Sequence, residues 1–309
     1  MRLPVLRHAL LPLIATLLLA SCHGKDEPAQ AGGSTPEAAL QSSVDLLRSG
    51  DINGLWKHLL PPADYANMRA DWTLQQRHAQ PDSAAQRARF SETLRKLTAP
   101  DAEDTLYAEL QPKLAQMQQQ YQDQLPVLIS VGEALLKRSI ARSPSLGETQ
   151  KAQLGSVLDT LLPWAQQAPW FDAAHAKQAI GVAVATARKL DIKDADQLRS
   201  LDFDATMTRY ATGYAGAKQL LAIYGLSIDQ TLDSVHFTPV TNSNGHAVVK
   251  LDYTLLGKQL SAEAKMVEEN GRWYNEELLE NARRSHARLQ QQAALAGTVA
   301  AAASPVTKD

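Results

Sequence analysis

The sequence predicts a mostly helical α+β protein. An N-terminal helical hairpin and a long helical insert are expected to pack with a C-terminal antiparallel β-meander of three to four strands. Two observations support this fold class. Apolar residues recur at helical spacing through most of residues 35–225. After Gly225 they alternate with polar residues, as half-buried strands require.

Two short helices are expected to open the folded part as a hairpin. Thr35-Pro36-Glu37 supplies an N-cap residue, a proline at the first helical position and an early acid. Gly50 can end the first helix in the left-handed conformation, and Asp51 can cap the second. Pro61-Pro62 then stops the second helix.

Prolines divide the helical region that follows. Pro112 is expected to kink one helix, and Pro163 to end another. Trp164, Trp170 and Phe171 are then expected in a loop dense in aromatic residues. The last long helix is expected to end at Gly225.

The β-meander is outlined by its turns. Asn270-Gly271 suits a type I′ hairpin turn, and two other turns are expected at 242–245 and 257–258. The strands between them are expected around 235–240, 249–255, 260–266 and 272–274. Residues 276–292 return to helical propensity, and the alanine-rich end, 293–309, is expected to fray.

The first 22 residues have the features of an export signal. Arg2 and Arg7 precede a short apolar run, Ala9 to Leu19, which is too short to span a bilayer comfortably. The run ends in Leu19-Ala20-Ser21-Cys22, which contains the only cysteine of the chain. This segment resembles the lipobox of bacterial lipoproteins. An ordinary cleaved signal with an incidental cysteine is the alternative.

The lipobox resemblance implies that Cys22 carries a thioether-linked diacylglycerol and an N-acyl chain. Each buried methylene contributes roughly 0.8 kcal/mol, and about two lipid signals suffice for stable attachment. His23 stands where the family's inner-membrane retention signal has aspartate. The resemblance therefore implies an anchor in the bacterial outer membrane, with the body facing the periplasm.

The expected domain organisation follows from these signals. Residues 24–34 are rich in Gly, Ala, Pro and charge without apolar periodicity, so they are expected to form a disordered tether. The predicted segments are a signal peptide at 1–21, the tether at 22–34, the helical hairpin at 35–80, the helical region at 81–225, the β-meander at 226–276, and a terminal helix with its tail at 277–309.

The composition argues against a nucleic-acid partner. Cleavage before Cys22 would remove Arg2 and Arg7, leaving 29 of the 31 basic residues against 33 acidic ones. A slightly acidic body lacks the clustered cations that displace counterions from nucleic acid. With Cys22 acylated, no thiol remains for a disulfide, a metal site or a nucleophile.

Two separated pieces of the chain resemble the small exported lipoproteins with a nuclear-transport-factor-2-like (cystatin-like) fold. They are the hairpin at 35–59 and the strand segment at 248–274, whose last turn is Glu269–Trp273. The resemblance implies N-terminal helices packed across a curved antiparallel sheet. It implies no shared catalytic residues. The long helical insert departs from the family, and a helical domain followed by an unrelated β-module is the alternative.

The sequence contains no recognisable catalytic or metal-binding motif. None of the eight histidines pairs with another at spacings of two, three or four residues, and His58 is expected in a capping or surface position. The aspartates between Asp191 and Asp204 lack the central glycine and closing glutamate of a calcium-binding loop. We therefore expect no enzyme activity, cofactor or metal. An acid–base pair in a deep cleft would instead favour the hypothesis that the protein is an enzyme.

The aromatic residues Trp164, Trp170 and Phe171 are the main candidates for a binding site. They either fill the junction between helices or form an exposed anchor for a protein partner, since tryptophans concentrate binding energy at interfaces. A carbohydrate platform is a third interpretation, but the polar ligands that it needs are not evident.

The leading hypothesis is a lipid-anchored, non-catalytic periplasmic protein that binds another protein. The partner would be an envelope factor, or a toxin against which the protein gives immunity. The alternative is a carrier or sensor of a hydrophobic small molecule, whose pocket would be lined by Tyr253, Met266 and Trp273. A sheet face filled by packed side chains would rule out this carrier.

Overall fold

The structure is a computed structural model that describes residues 30–78, 82–121, 123–143 and 146–303. The leader, Cys22 and the first part of the tether lie outside the described residues. The helices are α1 Pro36–Ser49, α2 Ile52–Leu59, α3 Pro62–His78, α4 Ala84–Thr98, α5 Ala102–Tyr121, α6 Leu125–Arg142, α7 Glu148–Gln167, α8 Ala173–Leu190, α9 Ala195–Ser200, α10 Phe203–Ile223, α11 Ile228–Asp233 and α12 Glu276–Ala303. The strands are β1 His236–Ser243, β2 His246–Leu255, β3 Lys258–Glu269 and β4 Arg272–Asn275.

The predicted mostly helical α+β fold is confirmed, and so is the α1–α2 hairpin. The Thr35 side chain accepts a hydrogen bond from the Ala38 amide at 3.1 Å, and Pro36 is the first helical residue. Gly50 has φ +77°, and the Asp51 carboxylate accepts from the Gly54 amide at 2.7 Å. These local signals suffice because each satisfies a backbone group that the helix end leaves unpaired.

The four strands form one antiparallel meander in the order β1-β2-β3-β4. Asn270 and Gly271 both have positive φ, as the predicted type I′ turn requires. The turn predicted at 242–245 is shorter in the structure. Only Asn244 and Gly245 turn the chain, again with positive φ, so β1 extends to Ser243.

One face of the sheet builds the main hydrophobic core. Alternate residues of β2 and β3 are buried, as the period of two predicts. Helix α1 packs across this face, α7 lies against it, and the α10–α11 connection contributes further apolar side chains. The helical region and the meander therefore share one core. Its buried members are Ala39, Leu40, Val44, Leu226, Leu232, Val235, Ala247, Val249, Leu251, Tyr253, Leu255, Leu260, Ala264, Met266 and Trp273.

Two further features fix the helices relative to one another. Helices α8 and α10 approach closely at Gly216, where an added Cβ would lie 2.3 Å from the Thr186 hydroxyl. Helix α12 packs on α3, and Arg283 joins them by donating to Asp64 at 2.8 Å. Arg283 also donates to Glu269 of β3 at 2.7 Å.

The prediction that a helix ends at Pro163 is wrong. Helix α7 continues to Gln167 with Pro163 in its interior, and α5 likewise continues through Pro112. A proline removes one amide donor from a helix. In α7, tertiary contacts hold the turn beyond it, because the Trp164 indole packs against the core and donates to the Tyr224 carbonyl at 2.6 Å. Trp164 is therefore a helical residue and not part of a loop.

Candidate functional site

The end of the predicted tether is part of the folded body. Gly33 forms an isolated antiparallel bridge with Trp273 of β4, with backbone hydrogen bonds of 3.0 and 2.9 Å. The Arg272 guanidinium donates to the carbonyls of Ala31 at 2.9 Å and Gly32 at 2.5 Å. The boundary predicted at residue 34 is therefore too late, since the chain is held from Gln30 onwards. We call residues 30–33 the docked segment.

His58 is a second holding point for the docked segment. Its Nδ1 lies 2.8 Å from the Gln30 carbonyl oxygen, and its Nε2 lies 2.8 Å from that of Ala39. The side chain is buried, so the expected capping or surface position is wrong. His58 links the start of the described chain to α1, which assigns it a structural role.

The docked segment limits how far Cys22 can lie from the folded body. Eight residue steps separate Cys22 from Gln30, and a fully extended chain of that length spans about 27 Å at ~3.4 Å per residue. The docked segment lies beside Trp273, which pairs with Glu268 near the C-terminal end of β3.

The structure brings Trp164 and Trp170 together, but both are engaged internally. Their rings meet edge to face with centroids 5.5 Å apart, and Trp170 also packs on Tyr224 at 4.7 Å. The Trp170 indole N–H donates to the Ala165 carbonyl at 2.7 Å. Both tryptophans are half-buried, as is Phe171 in the turn after α7. This geometry favours the interpretation that the aromatic residues fill a junction between helices.

A polar edge borders the aromatic cluster. His175 stacks on Tyr224 with ring centroids 6.0 Å apart, and its Nδ1 lies 2.6 Å from the Asp172 carboxylate. The hydrogen bond from the His175 backbone amide, followed by that from its ring, lowers the pKa of Asp172. Asp172 is also the N-cap of α8, so its interaction with His175 stabilises the N-terminal end of that helix.

The residues of the alternative ligand pocket lie in the main core. Tyr253 is 4 % exposed, Met266 1 % and Trp273 6 %. Burial raises the pKa of the Tyr253 hydroxyl. The sheet face that would form the pocket is covered by α1, so a ligand would have to displace packed side chains there.

Sequence reasoning missed an exposed apolar face on α6. No residue of α6 is buried, although the helix is rich in aliphatic side chains. Its large exposed members are Val127 (63 %), Leu128 (54 %), Val131 (54 %), Leu135 (61 %) and Leu136 (53 %). Four of these lie on one face of the helix. Val131 follows Val127 and Leu128 at spacings of four and three residues, and Leu135 follows Val131 at a spacing of four. We call these four residues the α6 apolar face.

The opposite side of α6 packs on α7, which explains why this face is open. Lys137 lies 2.5 Å from Asp159 of α7 and 2.7 Å from Glu133. The hydrogen bond to Asp159, followed by that to Glu133, raises the pKa of Lys137 to about 12. Gln166 of α7 donates to the Ser130 hydroxyl at 3.4 Å. By the 3.6-residue period, the α6 apolar face points away from α7.

The described residues hold no cluster of three or more His, Cys, Asp or Glu side chains that could bind a metal ion. Two His–Asp pairs occur within the described ranges, His175–Asp172 and His286–Asp71. A cavity of about 430 Å³ between α4 and α8 is lined by Arg95, Arg188 and Lys193 among others.

Comparison with known proteins identifies no relative: no family model, curated protein or solved structure matches the chain. In the part of the chain that the structure describes, none of the helices combines the length and the hydrophobicity needed to cross a bilayer.

Proposed function

We propose that this protein is a lipid-anchored, non-catalytic component of the bacterial envelope that binds another protein through the α6 apolar face. The observation that carries the proposal is the exposure of four large aliphatic side chains on one helical surface. Contiguous exposed apolar patches mark interaction sites. Leaving apolar surface in water costs free energy, and burial against a partner removes that cost. The half-buried aromatic cluster around Trp170 supports the fold of the same helical region.

The position of α6 favours a protein partner over the membrane surface. Helix α6 packs on α7, and α7 lies near the start of β3. Asp159 of α7 is close enough to Lys258 of β3 for their charges to interact. The docked segment lies at the other end of β3, beside Trp273. This strand has 12 residues and is about 36 Å long at ~3.3 Å per residue. The docked segment and the α6 apolar face thus lie toward opposite ends of the sheet.

Two settings fit a tethered binding protein of this kind. One is maintenance of the envelope, in which the partner is a resident envelope factor. The other is immunity, in which the anchored protein inhibits an incoming antibacterial toxin. A neighbouring gene that encodes an exported effector would favour immunity.

Site-specific photo-crosslinking in intact cells tests the proposal. A photoreactive residue replaces Leu135 of the α6 apolar face, and the matched control replaces Val240, which is 53 % exposed on β1. We expect the position-135 probe, and not the position-240 probe, to capture a distinct envelope or toxin protein. If both positions give the same products, or if position 135 captures no other protein, the proposed function is wrong.

A further inference from the structure

We infer that a second copy of this chain covers the α6 apolar face when no other partner is bound, with the two α6 helices packed antiparallel about a two-fold axis. The inference specifies an occupant of the surface assigned above and so rests on the proposed function. Its basis is the distribution of charge along that surface.

The α6 apolar face has opposite charges at its two ends. Arg138 and Arg142 continue the face toward the C-terminus, at the same three- and four-residue spacing as its aliphatic residues. Asp123 lies just before the N-terminus of α6. All three side chains are exposed, and none has a charged or hydrogen-bonding partner within the described residues.

An antiparallel arrangement makes these charges complementary. With the axis at Val131, Leu135 of one copy meets Val127 of the other, and Leu128 meets Ala134. Asp123 then meets Ser139 of the second copy, within about 5 Å along the axis of both Arg138 and Arg142. A parallel arrangement would instead place the arginines of the two copies side by side, which costs free energy.

Symmetry makes the contact self-limiting. A two-fold axis uses the same surface on both copies, so pairing closes at a dimer and does not extend into a filament. One helix per copy gives a small interface, of the size found in transient complexes. Such a dimer can be displaced by a partner with more contacts, which reconciles it with the binding of another protein.

Sedimentation velocity tests the inference on the chain with Cys22→Ser, which removes the acylation site. We expect a monomer–dimer equilibrium as concentration rises. Val131→Glu should abolish the dimer, because it places two carboxylates at the apolar axis. The control Val240→Glu changes a residue of almost equal exposure on β1 and should leave the dimer intact.

A charge-reversal pair tests the antiparallel register. Asp123→Arg should weaken self-association by about tenfold, since attraction becomes repulsion at two symmetric positions. The double variant R138E/R142E should do the same. Mixed in equal amounts, the two variants should restore the dimer, because each then meets opposite charges on the other. Circular dichroism confirms that every variant keeps its helical content.

The outcomes separate this inference from the proposed function. A sedimentation coefficient that stays at the monomer value at every accessible concentration overturns the dimer, and so does a mixture that does not associate. Capture of a different protein by the position-135 probe would leave the proposed function standing in that case. Dimerisation without such capture would support the inference and contradict the proposed function.

Discussion

Arg272 lies 241 positions after Ala31 in the chain, yet its Nε atom donates a hydrogen bond to the Ala31 carbonyl at 2.9 Å. With the Gly33–Trp273 bridge and the buried His58, this contact closes the N-terminal end of the described chain onto the last strand. The sheet edge at β4 is therefore covered by the docked segment, which satisfies backbone groups that an edge strand would otherwise expose.

Replacing Arg272 with alanine should loosen the docked segment. Two charge-assisted hydrogen bonds to carbonyls are lost, so we expect a destabilisation of about 2 kcal/mol in urea unfolding. The Gly32 and Gly33 amides, which donate to His58 and Trp273, should exchange their hydrogens faster. Arg284→Ala is the control, because that side chain is 66 % exposed. Unchanged exchange at Gly32 and Gly33 would refute the docking role of Arg272.

Gly33→Ala should destabilise the protein by about 1–3 kcal/mol or more, as overpacking does. An added Cβ would lie 2.2 Å from the backbone nitrogen of Ala39, so the docked segment or α1 must shift. The matched control is Gly132→Ala in α6, where an added Cβ meets nothing within 4 Å. That variant should stabilise by about 0.5–1 kcal/mol, since alanine is the better helix former. Equal effects of the two changes in thermal unfolding would contradict the close approach at Gly33.

Glu277→Gln should stabilise the protein at pH 7. Burial, opposed in part by Lys265, raises the pKa of the Glu277 carboxyl. A carboxyl with a raised folded-state pKa contributes stability below its unfolded pKa and loses that contribution as pH rises through the folded value. The gain from glutamine is therefore expected at neutral pH, at about 0.5 kcal/mol, and should disappear near pH 3. Urea unfolding at pH 3 and pH 7 measures this gain in the free energy of unfolding. The control is Glu109→Gln, because that side chain is exposed and lies on α5. A gain that persists in acid would contradict the assigned cause.

Met266→Ala should cost about 2–5 kcal/mol, because the side chain is buried in the main core and its loss leaves a cavity. Leu128→Ala on the α6 apolar face should change stability by no more than about 0.5 kcal/mol. Chemical denaturation of both variants distinguishes a packed core from a surface. A small cost at Met266, together with binding of an apolar compound by the unchanged protein, would instead support the carrier alternative.

Cys22→Ser should abolish acylation of the protein. The lipobox resemblance places all acyl chains on this residue, so the variant should carry no added acyl mass. Intact-mass measurement of the native protein should show a chain that begins at Cys22 with added acyl mass. Gly24→Ala, in the same segment, should leave the added acyl mass unchanged. A native protein with an unmodified Cys22 would disprove lipid anchoring.

The parts of the fold that the sequence predicts are those with local causes. The α1–α2 hairpin follows from Thr35, Gly50 and Asp51, each of which satisfies a helix end within a few residues. The last hairpin follows from Asn270-Gly271, whose backbone conformation the turn itself requires.

The parts that the sequence does not predict depend on distant contacts. Helix α7 continues past Pro163 because Trp164 bonds to Tyr224, 60 residues further on. The docked segment is held mainly through backbone carbonyls and amides, which leave no side-chain pattern. For α6, periodicity finds apolar residues on more than one side, but only the packing of α7 shows which side stays in water.

The docked segment and α6 lie toward opposite ends of the sheet. In the proposed lipid-anchored protein, the eight residue steps between Cys22 and Gln30 and the length of the sheet would together set the distance of α6 from the bilayer. Lengthening the segment between Cys22 and Gln30 would change that distance without touching the folded body. Selection of partners by their distance from the membrane would then be built into the covalent chain.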